Sequence, residues 1–388
     1  MTRVLIITAS RVQPALTGGH QRTLQFARSL VKAGVDSRIL SMAGRRADYG
    51  RQGIVKIPRQ EDQVEEWVDL NFISGGLQFV MNCLGASRLW TQLPWPTSSV
   101  VEECLQWADI LVFDFPFYNL SRFPAHLPKI MLSHNIEADL LKQGHILERR
   151  VLRPVVEGAE LRAARGFDHI FACAPSDRDY YRFVGGEVTE IPNGMARLDL
   201  TWSDYQKARS ELEVEENEFV LLFVGSRFGP NIDGLNELKS QLESYRRLCL
   251  EWNVKLKVVG SVSHPFQDDF VEGHGFVDSL ETYLAAADVV VNPVNRGSGS
   301  NIKVFQALAA GKPLLSTPFG VRGLPGISHP GLKIYRSGRD ILDAVSTWRH
   351  DQRSLFTSGQ ELRDRLGSAI LMDGIVKERA LPVITSLV

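Results

Sequence analysis

The residues of this 388-residue chain best suited to hold an anion lie in one short segment. It reads Asn292-Pro293-Val294-Asn295-Arg296-Gly297-Ser298-Gly299-Ser300-Asn301-Ile302-Lys303 and continues through Gln306 to Gly311-Lys312-Pro313. An apolar strand ends, a Gly/Ser loop turns, and a helix is expected to begin near Ser300. The first amides of a helix have no intrahelical partner, and the helix dipole makes that end positive. Gly297 and Gly299 let a phosphate approach closely, Ser298 and Ser300 donate hydrogen bonds, and Lys303 adds a full charge one turn in. In isolation an ordinary serine-capped helix reads the same way. The segment lacks the G-x-x-x-x-G-K-[ST] spacing of a Walker loop.

In the first half, His134 follows a strand ending near Leu132, at the strand's carboxyl end, where ligands collect in α/β proteins. A lone histidine there is also a common structural loop residue. Asp114 ends another strand; it either faces a cleft or caps the turn before Pro116. His264, His274, His329 and His350 show no metal-ligand spacing. Arg149, Arg150, Arg153, Arg162 and Arg165 recur through one helical region, as a solvated face or a surface for anionic lipid.

The elements that position these residues follow a repeated rhythm. Val4–Thr8 is a short β-branched and leucine run, as expected of a strand buried on both faces. A loop with Pro14, Gly18 and Gly19 leads into a helix from His20 to Lys32, stopped by Gly34, and a strand over Ser37–Ser41. Strands at 108–114, Lys129–Ser133 and His169–Ala172 continue the pattern, with a long helical stretch over roughly 136–165. A second start lies at Phe219–Val224 before Gly225. Strands at Lys255–Val259, Val289–Asn292 and Leu314–Thr317 follow, and Asp278 with Glu281 reads as a capping box. These are two Rossmann-like doubly wound α/β domains, expected to face a central cleft. The boundaries expected are 1–198, 199–365 and a tail over 366–388 that returns to the first domain.

Residues 61–100 fit neither half. They begin with Glu61, Asp62, Glu65 and Glu66 and continue with Trp67, Phe72, Phe79, Met81, Trp90 and Trp95. They read as a helical excursion on the first domain, or as an apolar face for a greasy acceptor.

Composition sets outer limits. A hydrophobic content of 44% is ample for a core and rules out a disordered chain. Lys+Arg 44 against Asp+Glu 45 gives no electrostatic clamp for nucleic acid. Cys83, Cys104, Cys173 and Cys249 are far apart with no CxxC pair, which fits reduced thiols. With no run of about 18 apolar residues, the expectation is a cytoplasmic protein, with peripheral membrane contact a further expectation.

Residues 275–326 resemble the carboxyl-terminal domain of GT-B glycosyltransferases, specifically the retaining nucleotide-sugar enzymes of family four. The matching stretches are Gly275-Phe276-Val277-Asp278, Ala286–Pro293, the Gly-Ser-Gly loop through Lys303, and Ala307–Pro313. Val224-Gly225-Ser226 with Pro230-Asn231 resembles the same domain's first strand and turn. Gly18-Gly19, Ser133-His134-Asn135-Ile136-Glu137 and Pro192-Asn193-Gly194 match in the first half. The resemblance implies metal-independent transfer of a sugar, with retention, from a nucleotide-diphosphate donor to a glycan or lipid-linked acceptor, as in polysaccharide biosynthesis.

It also implies roles for particular residues. The loop through Ser298, Gly299, Ser300, Asn301 and Lys303 holds the diphosphate. The backbone at Phe276 and Val277 lies against the base. Gly18 and Gly19 approach the donor from the first domain, and His134 contacts sugar or acceptor. Two family glutamates separated by seven residues fall here on Ser298 and Gln306, and the arginine usual after Val-Gly falls on Ser226, with Arg227 one place along. An amide at Gln306 gives up charge-assisted bonds to the ribose, about 1–2 kcal/mol of donor affinity. No cofactor besides the donor is implied.

The alternative is a non-catalytic sugar-nucleotide or glycan binder. A nucleotide-sugar epimerase would need paired carboxylates, and no such pair stands out. A dinucleotide oxidoreductase would need G-x-G-x-x-G, which the first turn lacks.

Overall fold

Strands covered by helices on both faces must be apolar along their whole length, and Arg3–Thr8 (β1) is: Val4 to Ile7 are fully buried. In the computed structural model, which describes residues 1–9, 11–13, 15, 18–42, 54–57, 64–69, 98–140, 150, 153–297 and 301–388, β1 lies inside an eight-stranded sheet. The chain forms two units: Met1–Pro192 with Met372–Val388, and Asn193–Leu371.

In the first unit β1 leads into α1 (Gly18–Lys32), β2 (Asp36–Ser41), β3 (Ile54–Ile57) and β4 (Glu65–Asp69). Then come α2 (Ser99–Trp107), β5 (Ile110–Phe113), β6 (Lys129–Leu132), α3 (Glu137–Leu140), α4 (Arg153–Ala164), β7 (His169–Ala172), α5 (Pro175–Phe183) and β8 (Val188–Glu190). The strand order is β3-β4-β2-β1-β5-β6-β7-β8, parallel except for β3 against β4. The order reverses between β1 and β5, and the crevice outside the carboxyl ends of such strands is where α/β sheets take ligands.

The second unit runs α6 (Trp202–Glu211), β9 (Phe219–Val224), α7 (Gly229–Glu243), α8 (Arg246–Glu251), β10 (Val254–Val259), β11 (Phe266–Gln267) and β12 (Val271–Gly275). It continues with α9 (Leu280–Ala286), β13 (Val289–Asn292), α10 (Ile302–Ala309), β14 (Leu314–Ser316), β15 (Leu332–Ile334), α11 (Gly338–Trp348) and α12 (Gln352–Leu366). Its order is β11-β12-β10-β9-β13-β14-β15, with only the two-residue β11 antiparallel, and its switch point lies between β9 and β13.

The division falls at 192/193 and 371/372, not at 198/199 and 365/366. Backbone bonds explain both shifts. Met195 N–H donates to Ile370 O and Leu198 N–H to Ala309 O, each at 3.0 Å, which ties 195–198 and the residues after α12 to the second unit. The last seventeen residues belong to the first unit, where α13 (Met372–Ile375) and α14 (Leu381–Leu387) flank a π-helical turn. Met372, Ile375, Val376, Ala380 and Ile384 join Val4, Ile6 and Phe26 in one core, and Asp373 accepts from Ser29 at 2.5 Å and Lys32 at 3.1 Å.

Two expectations change. Helix α9 is capped by Ser279, whose hydroxyl accepts from Thr282 N–H, so Asp278 is not the cap. Residues 65–69 are a strand parallel to β2 and not part of a helical excursion. The reason is the buried Glu66: its carboxylate accepts from Val12 N–H at 2.7 Å, Gln13 N–H at 2.9 Å and Ser41 Oγ at 2.5 Å. That bond set pins the loop after β1. Residues 70–97, with Phe72, Phe79, Met81, Cys83, Trp90 and Trp95, lie outside the described residues, as do Glu61, Asp62 and Arg149.

Replacing Glu66 by Ala strands these buried donors and is expected to destabilise the first unit by about 2–4 kcal/mol. Urea unfolding, together with faster hydrogen exchange at amides 12 and 13, checks this.

Candidate functional site

At the switch point of the second unit, β9 ends in Val224-Gly225-Ser226 and α7 begins three residues later. Asn231, in the first turn of α7 and buried, donates from Nδ2 to Ser226 O at 2.9 Å and to Ser226 Oγ at 3.3 Å. Its Oδ1 accepts from Lys303 Nζ. The Lys303 ammonium also stands 5.0 Å from the centre of the Phe223 ring, a cation–π contact. Among the described residues no carboxylate pairs with it. Burial alone pushes its pKa down to about 7. Ser226, Asn231 and Lys303 thus form a chain from the end of β9 to the first turn of α10.

Helix α10 starts at Ile302 with Asn301 at the cap position, two residues later than Ser300. The Asn301 side chain does not cap it. It donates to Gly320 O at 3.2 Å, so it is not spent on the helix amides. Gly297 has φ +137°, outside the reach of ordinary side chains, and sits among Pro230, Phe319 and Arg322. Arg322 donates to Gly297 O at 3.2 Å with its guanidinium 3.7 Å from the Phe319 ring centre. Ser298, Gly299 and Ser300 lie outside the described residues. Gln306 is half-buried, one turn beyond Lys303.

Glycines carry the site across the sheet. Gly225 N–H donates to Val259 O at 2.9 Å, and Gly260 N–H to Gly275 O at 2.6 Å. A Cβ on Gly260, which has φ +99°, would lie 2.3 Å from Gly225 O. Beyond Gly275, Phe276 is 74% exposed, an aromatic ring displayed at the carboxyl end of β12, with Val277 half-buried beside it. A β-bulge at His274, held by Tyr283 Oη at 3.2 Å, precedes it. Arg227 is exposed and its N–H donates to Ser261 Oγ at 2.9 Å.

In the first unit Gly18 and Gly19 open α1, and His134 follows β6. Burial, then the charges of Arg22 and His20 near the start of α1, push the His134 pKa down to about 3, so its imidazole is neutral at physiological pH. The loop bearing it is held by side chains that the sequence did not single out. Cys173 Sγ donates to His134 O at 2.9 Å. The fully buried Glu160 accepts from Glu137 N–H at 2.9 Å, Ala138 N–H at 3.1 Å and Tyr181 Oη at 2.8 Å. Asp114 accepts from Tyr118 Oη at 3.0 Å, and burial pushes its pKa up to about 7.

Comparison with known proteins agrees with this geometry. Residues 218–347 match the family model described as Glycosyl transferases group 1. No curated protein sequence matches the chain. Among solved structures, sucrose-phosphate synthase from Thermosynechococcus elongatus superposes with a TM-score of 0.68 at 16% identity, covering 100% of this chain and 99% of the other. HepE from Anabaena, in complex with UDP and glucose, superposes at 0.67 and 15% identity, covering 100% of both chains. The catalytic domain of starch synthase IV from Arabidopsis thaliana, bound to ADP and acarbose, superposes at 0.65 and 11% identity, covering 100% and 99%. At these identities the likeness is one of fold, and the fold is GT-B.

Lys303 is expected to titrate near neutrality in the ligand-free chain. Asn231→Leu removes the oxygen that faces its ammonium and should lower the pKa further. NMR of lysines labelled at Cε and Nζ, followed over pH 5–10, reads both values.

Proposed function

We propose that this chain, which has the GT-B fold and whose residues 218–347 match the glycosyl transferases group 1 model, moves a sugar, with retention, from a nucleoside diphosphate donor to a hydroxyl of a glycan or lipid-linked acceptor. The observation that carries the reading is the partly buried ammonium of Lys303 beside the start of α10, which among the described residues meets an amide oxygen and a phenyl face but no carboxylate. A cation held out of water without a counter-ion is stabilised when a polyanion arrives, and a diphosphate is the polyanion such a helix start accommodates.

The proposed chemistry follows from placement. As the glycosidic bond breaks, negative charge grows on the leaving diphosphate. Lys303 and the first amides of α10 lie in a fixed arrangement that favours this charge without reorganising. The reading assigns that stabilisation to protein groups and calls for no metal ion. Phe276 offers a flat apolar face for the base, with the backbone at Val277 beside it. Ser226 and Asn231 keep Lys303 in place.

In the first unit, a neutral His134 suits a hydroxyl of sugar or acceptor better than a phosphate, since it both donates and accepts. The departing phosphate is the proposed proton acceptor. Gln306, an amide where relatives place a carboxylate, favours the second reading, a binder that holds a nucleotide sugar without turnover. Among the described residues no helix is long and apolar enough to cross a membrane, and contact with a membrane surface belongs to this proposal only through the acceptor.

Calorimetric titration with UDP, GDP, ADP and dTDP tests the reading. One of them is expected to bind at micromolar concentration, and Lys303→Ala to lose about 1.5–3 kcal/mol of that binding. No binding to any of the four refutes it. Because the diphosphate raises the Lys303 pKa from about 7, binding takes up a proton. Affinity should therefore fall by up to about tenfold per pH unit from pH 7.5 upward, and Lys303→Ala should flatten the profile. His134→Ala is expected to cut sugar transfer by about 10²-fold, leaving nucleotide affinity intact. Binding that survives with no donor turnover in the native chain would establish the second reading.

A further inference from the structure

Helix α7 addresses the loop after β13 and Lys303 with four residues, Asn231, Asp233, Gly234 and Glu237. Asn231 holds Lys303. Gly234 lets the backbone in: a Cβ there would lie 2.8 Å from Pro293 O. Asp233 pairs with Arg296, whose Nε donates to its Oδ2 at 2.9 Å, and Glu237 accepts from Asn295 Nδ2 at 2.6 Å. Asp233 and Glu237 are four residues apart, so they share one face of the helix. They grip the two residues immediately before Gly297. Arg322 holds Gly297 O from another segment.

An acidic pair beside an anion-binding loop is electrostatically the wrong sign. Near a diphosphate each carboxylate repels the ligand. We propose that Asp233 and Glu237 are positioning residues for the diphosphate site: they fix Asn295 and Arg296 so that the backbone at Gly297 is held in place for the phosphates together with Lys303. This rests on the function proposed above and adds residues that touch no ligand. The two accounts of these acids differ in sign. If they act only by charge, neutralising them tightens diphosphate binding. If they position the loop, neutralising them weakens it.

The test uses the full chain and the double variant Asp233→Asn, Glu237→Gln. The ligand is whichever of UDP, GDP, ADP and dTDP the native chain binds. Expected is binding weaker by about three- to tenfold, in line with loss of two partly exposed polar contacts. Hydrogen exchange at amides 295–297 and 301–303 should speed up, while exchange elsewhere in the second unit and the ligand-free melting temperature stay the same. Equal or tighter binding overturns the proposal, as does a loss of protection spread over the whole second unit, which would mark general damage. If the native chain binds none of the four nucleotides, the function proposed above falls and this inference falls with it. If the native chain binds and the variant binds as well, only the inference falls.

Discussion

An ammonium taken out of water needs either a partner or a reason. Lys303 has an amide oxygen and the face of a phenyl ring, and among the described residues no carboxylate. The arrangement costs stability when the site is empty: between pH 7 and the ordinary lysine range the unfolded chain binds the proton more readily than the folded one, so stability rises with pH across that window. Much around it follows from this one residue. Asn231 must be buried at the start of α7 to meet it, Ser226 must be close enough to hold Asn231, and Gly234 must lack a side chain so that α7 can pack against Pro293.

Three other buried charges contrast with it, because each meets two or more hydrogen-bonding partners. Asp288 accepts from Tyr205 Oη at 2.7 Å, Arg209 at 3.1 Å and Val220 N–H at 2.7 Å, which fastens α6 to the central strands β9 and β13 of the second sheet. Lys312 is fully buried and donates to Ala285 O at 2.8 Å and Ala287 O at 3.0 Å. In the first unit Glu160 is satisfied by two amides and a tyrosine. These groups fix loops and helix ends. A charge whose hydrogen-bonding needs are met locally has little left for a ligand, which separates the structural set from Lys303.

The sheets were legible because buried parallel strands are short apolar runs: β9 is one throughout, β1 and β13 are along most of their length, and β10 keeps four apolar residues around Lys255 and Lys257. The turn between β13 and α10 could be placed because glycine, serine and lysine cluster where a strand gives way to a helix. Other features depend on contacts that no local pattern encodes. Glu66 reads as one more acid in an acidic stretch, and its role appears only when Val12, Gln13 and Ser41 meet it across the sheet. Asn231 is 72 residues from Lys303, and nothing in either neighbourhood announces the other. The His134 loop could be placed after its strand, but its neutral state comes from burial in the folded unit, with the charges of Arg22 and His20 in a distant helix adding to it. At α9, aspartate and serine stood side by side with equal claims to the cap, and backbone geometry chose Ser279.

The return of the last seventeen residues to the first unit bears on how the chain is made. The core around Val4, Ile6 and Phe26 is closed by Met372, Ile375, Val376, Ala380 and Ile384, so the unit begun before the second is completed only after it. The second unit, Asn193–Leu371, is contiguous and can fold while its predecessor still exposes an apolar surface. Synthesis therefore passes through an interval in which a finished domain hangs from an unfinished one. A ribosome that stalls or stops within the final helix releases a chain with that surface open, a candidate for chaperones and proteases.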